Sequence, residues 1–166
     1  MFFSRLFKPM PQKIAGGELY AAAVAQARTP AFYTAMRVPD TREGRFELYT
    51  LHVVLLVERL KGEGAQTSQA LFDAYLRGLD DAFRELGVGD VAVPRRMKKL
   101  GEAFYGRLRG YEQASDSVAL EALIGRTLPE GDAGALAGYV GQARDHLAAQ
   151  SLEDLMAGRV TWPAHR

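Results

Sequence analysis

Six cationic side chains cluster in one short stretch of this chain: Arg95, Arg96, Lys98, Lys99, Arg107 and Arg109. Only Glu102 and Glu112 oppose them, so the stretch carries six positive charges against two negative ones, while the whole chain has a net charge of +1. A local cluster of this kind contacts the phosphates of a nucleic acid or the acidic groups of a protein partner. Tyr105 lies within the cluster and adds an aromatic contact residue.

The cluster lies on a predicted helix from Val93 to Tyr111. Pro94 suits the first helical position, where its missing amide hydrogen has no helical partner to lose. At about 100° per residue, the apolar side chains form one narrow stripe, typical of a face packed against a core. The stripe consists of Met97, Leu100, Phe104, Leu108 and Tyr111. We therefore expect the cations to face outward.

Gly106 and Gly110 fall on the cationic side of this helix, next to Ala103. An exposed helical glycine costs roughly 1 kcal/mol relative to alanine, so two of them call for an explanation. One explanation is a flat strip of small residues on which a partner helix docks, rimmed by the cations. The other is a solvated cationic face on which glycines are tolerated or mark a frayed last turn, and helix statistics alone favour it.

Two blocks of the sequence resemble a known family. The first block comprises residues 87–90 (GVGD), 93–99 (VPRRMKK) and 101–107 (GEAFYGR). The second comprises residues 27–33 (ARTPAFY), 38–41 (VPDT) and 44–47 (GRFE). Together they cover roughly residues 18–112 and resemble the ubiquinol-cytochrome c chaperone family in its bacterial form. Each block is long and ordered, so the resemblance is more specific than a match to a short consensus.

The resemblance implies an assembly chaperone and not an enzyme. Members of the family bind newly made cytochrome b and help it mature into the respiratory cytochrome bc1 complex. Eukaryotic members act at the mitochondrial inner membrane with a small helper protein and contact the ribosome. By this resemblance, we expect cytochrome b or a bc1 assembly intermediate as the partner, at the cytoplasmic face of the inner membrane. A ribosome contact and a helper protein remain open.

The composition is that of an ordinary globular domain. With 166 residues, 48% hydrophobic and 25% charged, the chain can bury one sizeable core, so a single domain is expected. It has no cysteine, which excludes a disulfide scaffold, a thiolate metal site and covalent haem attachment through cysteines. No apolar run approaches the length of a membrane span. The near-neutral charge argues against nonspecific nucleic-acid binding by the chain as a whole, and we expect no specific DNA binding.

Aromatic and basic residues alternate at the N-terminus. The apolar members are Phe2, Phe3, Leu6 and Phe7, with Arg5 and Lys8 between and after them. The run is too short and too interrupted for a signal peptide, so we expect the protein to stay in the cytoplasm. The segment suits weak contact with a membrane surface, although a disordered tail, or one folded onto the domain, is the favoured alternative. We assign residues 1–12 to a flexible tail and residues 13–166 to one helical chaperone domain.

Helical periodicity recurs along the rest of the chain, and no strand-like run interrupts it. The fold class is therefore all-α, a single bundle of about six to eight helices. The helices are expected at about Glu18–Ala27, Pro30–Met36, Thr41–Leu60, 69–86, Val93–Tyr111, Ser117–Arg126, Ala133–Ala149 and 152–157. The predicted caps are Asp40 with Glu43, Asp116, Asp132 and Ser151. The third helix is apolar nearly all round, which predicts the centre of the bundle.

Two histidines and a tryptophan complete the candidate residues. His52 lies inside the apolar third helix with no second ligand at metal spacing, so we expect a hydrogen-bonded core residue and not a haem or metal ligand. His146 is expected at the edge of the apolar face of its helix, between core and solvent. Trp162, in an extended tail, is expected to fold back on the bundle.

Enzyme motifs are missing from the sequence. It contains no nucleophile elbow, no His-Glu-x-x-His pair and no dinucleotide fingerprint, so we expect no catalysis, no cofactor and no metal. One alternative function stays open: a basic helical module that binds ribosomal RNA or another protein without a bc1-specific role. The salt dependence of binding distinguishes an RNA partner from a protein partner. Binding to phosphates weakens far more steeply with salt than a packed helix interface does.

Overall fold

The computed structural model describes residues 10–87 and 93–164. The elements in these ranges are α1 (Pro11–Ala27), α2 (Pro30–Thr34), α3 (Arg42–Arg59), α4 (Ala65–Glu85), α5 (Val93–Gln113), α6 (Ser117–Thr127), α7 (Ala133–Ala149) and α8 (Leu152–Met156). No strand occurs in the described ranges, so the predicted all-α fold is confirmed. The predicted membrane-contact residues Phe2, Phe3, Leu6 and Phe7, and the motif residues Val88, Gly89 and Asp90, lie outside them.

Helix α3 lies at the centre of the bundle, as its apolar sequence predicts. It contacts α1, α4, α5 and α7. The six consecutive residues 51–56 are each at most 2% exposed, which a helix achieves only when neighbours surround it. The same helix therefore supplies the surface against which α5 is positioned.

Helix α1 begins earlier than predicted. It starts at Pro11, so Pro11 and Gln12, which the sequence assigned to the tail, are helical. The proline suggested a break, but it occupies the start of the helix, where proline is tolerated. The added turns pack closely on α4, because a Cβ atom on Gly16 would lie 2.5 Å from the carbonyl carbon of Ala70.

Three of the four predicted caps are confirmed. The side chains of Asp116, Asp132 and Ser151 each accept a hydrogen bond from the backbone amide three residues later. The cap predicted at Asp40 is wrong: Thr41 caps α3 by accepting from the amide of Gly44. A cap residue must directly precede the first turn, and Asp40 instead pairs with Arg45, with Oδ1 at 2.6 Å from Nε.

The C-terminal tail folds back on the bundle, as predicted for Trp162. Its indole packs edge-on against the ring of His52, with 5.0 Å between ring centroids. The side chain of Gln150 holds the tail, because it accepts from the Thr161 amide at 2.8 Å and donates to the Thr161 carbonyl at 3.0 Å. His146 is half-buried, as predicted for the edge of the apolar face, with Nε2 at 3.0 Å from the Thr161 hydroxyl.

His52 is a hydrogen-bonded core residue, as predicted, with no exposed surface. Its Nδ1 lies 2.7 Å from the Leu48 carbonyl. Because a carbonyl only accepts, Nδ1 carries the hydrogen and Nε2 accepts from the Tyr139 hydroxyl at 2.8 Å. The Tyr139 oxygen in turn accepts from Gln26. Both ring nitrogens are thus engaged within the core.

None of the helices in the described ranges combines the length and the apolar character needed to cross a bilayer.

Candidate partner-binding surface

Helix α5 is anchored by the apolar stripe that its sequence predicts. Phe104 is 1% exposed and Tyr111 is 3% exposed. Phe104 packs against Phe72 and Tyr75 of α4, with ring centroids 4.9 and 5.2 Å away. Burial raises the pKa of the Tyr111 hydroxyl well above its usual value. These contacts fix the rotation of α5, and with it the directions of the cationic side chains.

Two residues predicted on the outward face are turned into the bundle instead. Arg107 makes a two-pronged ion pair with Glu47 of α3, with Nε to Oε2 at 2.9 Å and Nη2 to Oε1 at 2.6 Å. Gly110 lies under α6, where an added Cβ would come within 3.1 Å of a Leu123 methyl group. Their predicted outward placement is therefore wrong, because α3 and α6 flank this edge of α5.

An arginine from α7 secures the C-terminal end of α5. Arg144 donates to the carbonyls of Tyr111 and Ala114 at 2.7 and 2.9 Å. The same guanidinium pairs with both carboxylate oxygens of Glu58 on α3. The last carbonyls of a helix lack helical partners, so Arg144 satisfies two of them and ties three helices together.

The remaining predicted residues stay accessible. The exposed members are Arg95, Arg96, Lys98, Lys99, Tyr105, Gly106 and Arg109, and Ala103 is half-buried. Arg96 also lies over the ring of Phe83 on α4, with its guanidinium carbon 5.7 Å from the centroid. Tyr105 is 46% exposed, although its ring contacts Phe72. The cationic surface of α5 therefore persists without Arg107.

A groove runs along the α4 side of this surface, and we call it the α4/α5 groove. It is an open depression of about 560 Å³. Its lining residues are Phe72, Leu76, Met97, Lys98, Gly101, Glu102, Tyr105 and Arg109. Its apolar lining comes from both helices, and its charged lining consists of Lys98, Glu102 and Arg109. Apolar linings combined with charged residues are typical of surfaces that bind an apolar side chain or helix.

A smaller depression of about 240 Å³ adjoins the groove. Phe72 and Tyr105 line both. The second depression is lined by Val57 and Leu60 at the C-terminal end of α3, by Leu108 of α5, and by polar residues near the start of α4. The two depressions share a partly apolar lining, which suits a polypeptide segment.

The sequence predicted helix α5 but not the groove beside it. Phe72 and Leu76 of α4, which line the groove, are only partly buried. Gly101 entered the sequence analysis only within a motif, although it is a third glycine on this helix. The spacing of Gly101, Tyr105 and Arg109 at four-residue intervals was the available signal for a second face on α5.

The two glycines of α5 give a matched pair of stability predictions. A Cβ on Gly106 would meet no atom within 4 Å. Gly106→Ala is therefore expected to raise the free energy of unfolding by up to about 1 kcal/mol, because alanine loses less backbone entropy in a helix. Gly110→Ala should gain less, since Leu123 must move. Urea denaturation of both variants measures the difference, and an equal or larger gain from Gly110→Ala would contradict this placement.

Comparison with known protein families identifies the family of this chain. The family described as ubiquinol-cytochrome C chaperone matches residues 34–162. The chain belongs to the ubiquinol-cytochrome c chaperone family. The match spans α3 to the tail at Trp162, and so includes every described residue of the α4/α5 groove.

Curated relatives carry names that fit this family. The chain is 25% identical over 162 residues to the mouse ubiquinol-cytochrome c reductase complex assembly factor 1, covering 90% of this chain and 55% of the relative. It is 26% identical over 121 residues to the Xenopus laevis protein of that name, covering 70% of this chain and 60% of the relative. The chain thus spans little more than half the length of these relatives.

A solved bacterial structure has the same fold. The crystal structure of the Cbp3 homolog from Brucella abortus superposes with a TM-score of 0.83 at 38% identity. The match covers 93% of this chain and 91% of that one. The helical arrangement described here is thus shared over almost the whole length of both chains.

Proposed function

We propose that this protein is an assembly chaperone for the cytochrome bc1 complex that binds newly made cytochrome b. Family membership supports the assembly role, and the α4/α5 groove is the observation that supports a client-binding surface. We assign the groove and the exposed cations of α5 to that contact. The protein would work at the cytoplasmic face of the inner membrane, where the client is inserted.

The chemistry of the groove suits a segment of a membrane protein. Phe72, Leu76 and Met97 offer an apolar lining that covers a client's apolar side chains before it is assembled. Lys98 and Arg109 of the lining would pair with acidic groups next to such a segment. An RNA surface relies on cations and stacking platforms, so the apolar lining favours a polypeptide client.

A non-catalytic role accompanies this proposal. The family and relatives are named for chaperoning and assembly. Within the described part of the chain, no three histidine, aspartate or glutamate side chains come together as a metal site. From these family and relative names, we assign the protein's contribution to binding, with protection and release of the client as the outcome.

Deleting the protein tests the proposed function. We expect the deletion strain to contain several-fold less assembled bc1 complex, with the cytochrome b transcript unchanged, because an unprotected client is degraded or misassembled. Native gels of solubilised membranes measure the complex, and a tagged copy should recover cytochrome b from the same membranes. Normal bc1 levels in the deletion strain would rule out the assembly role and leave only the family fold.

A further inference from the structure

A second groove lies at the opposite end of α3 from its C-terminal depression, where α1, α2 and α3 meet. We call it the α2/α3 corner. It is an open groove of about 400 Å³ lined by Arg28, Pro30, Tyr33, Thr34, Asp40 and Arg45. None of these residues lines the α4/α5 groove. The corner therefore offers a separate site, and three of its lining residues are charged.

Each arginine of the corner makes its hydrogen bond through Nε only, so its two terminal nitrogens can bind a ligand. Arg28 donates from Nε to the Tyr49 hydroxyl at 3.2 Å, and its guanidinium carbon lies 5.9 Å from the centre of that ring. Arg45 donates from Nε to Asp40 Oδ1 at 2.6 Å. The terminal nitrogens of both side chains have no acceptor among the described residues. These nitrogens can donate hydrogen bonds to a ligand with several oxygen atoms.

The corner keeps an excess of positive charge. Two arginines and one carboxylate line the corner, and the carboxylate, Asp40, pairs with Arg45. The hydrogen bond to Tyr49 raises the pKa of Arg28, while the charge of Arg45 acts in the opposite direction. Arg28 and Arg45 line the same groove, so their like charges repel across it. Two neighbouring cations of this kind are stabilised when an anion lies between them.

The backbone holds the corner in shape without a ligand. The Tyr33 hydroxyl donates to the Ala27 carbonyl at 2.9 Å and ties α2 to the end of α1. Gly44 in the first turn of α3 lets the backbone of Pro39 pack closely against it, since a Cβ there would collide with the Pro39 carbonyl oxygen. Arg37, in the turn before α3, adopts a left-handed φ of 57°, a conformation that glycine and asparagine adopt more readily. A preformed site spends less binding energy on ordering.

We propose that the α2/α3 corner binds a phosphate group, carried either by an anionic phospholipid headgroup or by free phosphate. Guanidinium groups match phosphate oxygens with paired hydrogen bonds, and Arg28 and Arg45 present two such groups at one groove. If the phosphate belongs to a lipid, the corner sets how the protein lies on the membrane surface. This site is independent of the client contact on α5.

The test uses the full chain and a charge-matched control. The double variant Arg28→Gln/Arg45→Gln removes the site, whereas Arg77→Gln/Arg126→Gln removes two exposed arginines from α4 and α6. The probes are inorganic phosphate, titrated by calorimetry, and phosphatidylcholine vesicles with and without phosphatidylglycerol, measured by flotation. We expect the corner variant to lose at least about tenfold in affinity for its probe, and the control to stay within about twofold.

The pattern of results identifies the source of the phosphate. Binding to phosphatidylglycerol vesicles without binding to inorganic phosphate supports a lipid headgroup, and binding to inorganic phosphate alone supports a free phosphate. Binding to both supports a phosphate site that either source can fill. Equal losses in the two double variants would reduce the effect to net charge and overturn the proposal. So would a wild-type protein that binds neither probe.

Discussion

Replacing Arg144 by methionine is expected to lower the free energy of unfolding by about 2 to 3 kcal/mol. The arginine side chain is 26% exposed and its partner Glu58 is 15% exposed, so the carboxylate would be left largely buried and unpaired. Breaking a buried pair typically costs about 3 to 5 kcal/mol, and the residual exposure reduces that figure. The carbonyls of Tyr111 and Ala114 would also lose the arginine donor, and Tyr111 would keep only the Ala114 amide.

Urea denaturation measures this effect, with Arg77→Met as the control. Arg77 is exposed on α4, and surface substitutions usually change stability by no more than about 0.5 kcal/mol. Pairing Arg144→Met with Glu58→Gln should recover part of the loss, because no unpaired carboxylate then remains. A loss below about 1 kcal/mol in Arg144→Met would show that this arginine does not hold α3, α5 and α7 together.

The second large effect is expected at Gly101. Its position has no atom within 4 Å of an added Cβ, and it lines the α4/α5 groove. Gly101→Leu should therefore fold normally but fill the groove and lower client capture at least about tenfold, equivalent to about 1.4 kcal/mol. Tagged variants incubated with solubilised membranes measure capture by the amount of cytochrome b recovered.

Gly106→Leu is the matched control for Gly101→Leu. Both are glycines of α5 with open space around the missing Cβ, but Gly106 does not line the groove. Loss of capture only in Gly101→Leu supports the groove as the contact. Loss only in Gly106→Leu would move the contact to the outward strip of α5 that the sequence suggested. Unchanged capture in both would remove α5 from the client-binding surface.

The sequence predicted the fold well because helical periodicity and caps are local signals. The burial of Phe104 and Tyr111 followed from the stripe on α5, and the caps at Asp116 and Asp132 followed from residue type. The start of α1 was misjudged because a proline at a helix start and a proline that ends a segment look alike in sequence. Only the packing of Gly16 on α4 distinguishes them.

The candidate site was harder to predict because it depends on which helices flank α5. A helical projection shows the sides of one helix, but not the neighbour on each side. The projection placed Arg107 outward because it does not show Glu47 of α3 beside it. It placed Gly110 outward because it does not show Leu123 of α6. Arg144 contacts Glu58 and Tyr111, which are 86 and 33 positions away in the sequence. No local sequence pattern predicts such contacts.

The level of assembled bc1 complex in a complemented deletion strain tests the central claim most directly. We expect wild-type protein and Gly106→Leu to restore the complex, and Gly101→Leu to leave it near the deletion level while accumulating to normal amounts. That result would link the α4/α5 groove to assembly in the cell. Full restoration by Gly101→Leu, at equal protein level, would contradict the proposal that the groove carries the chaperone function.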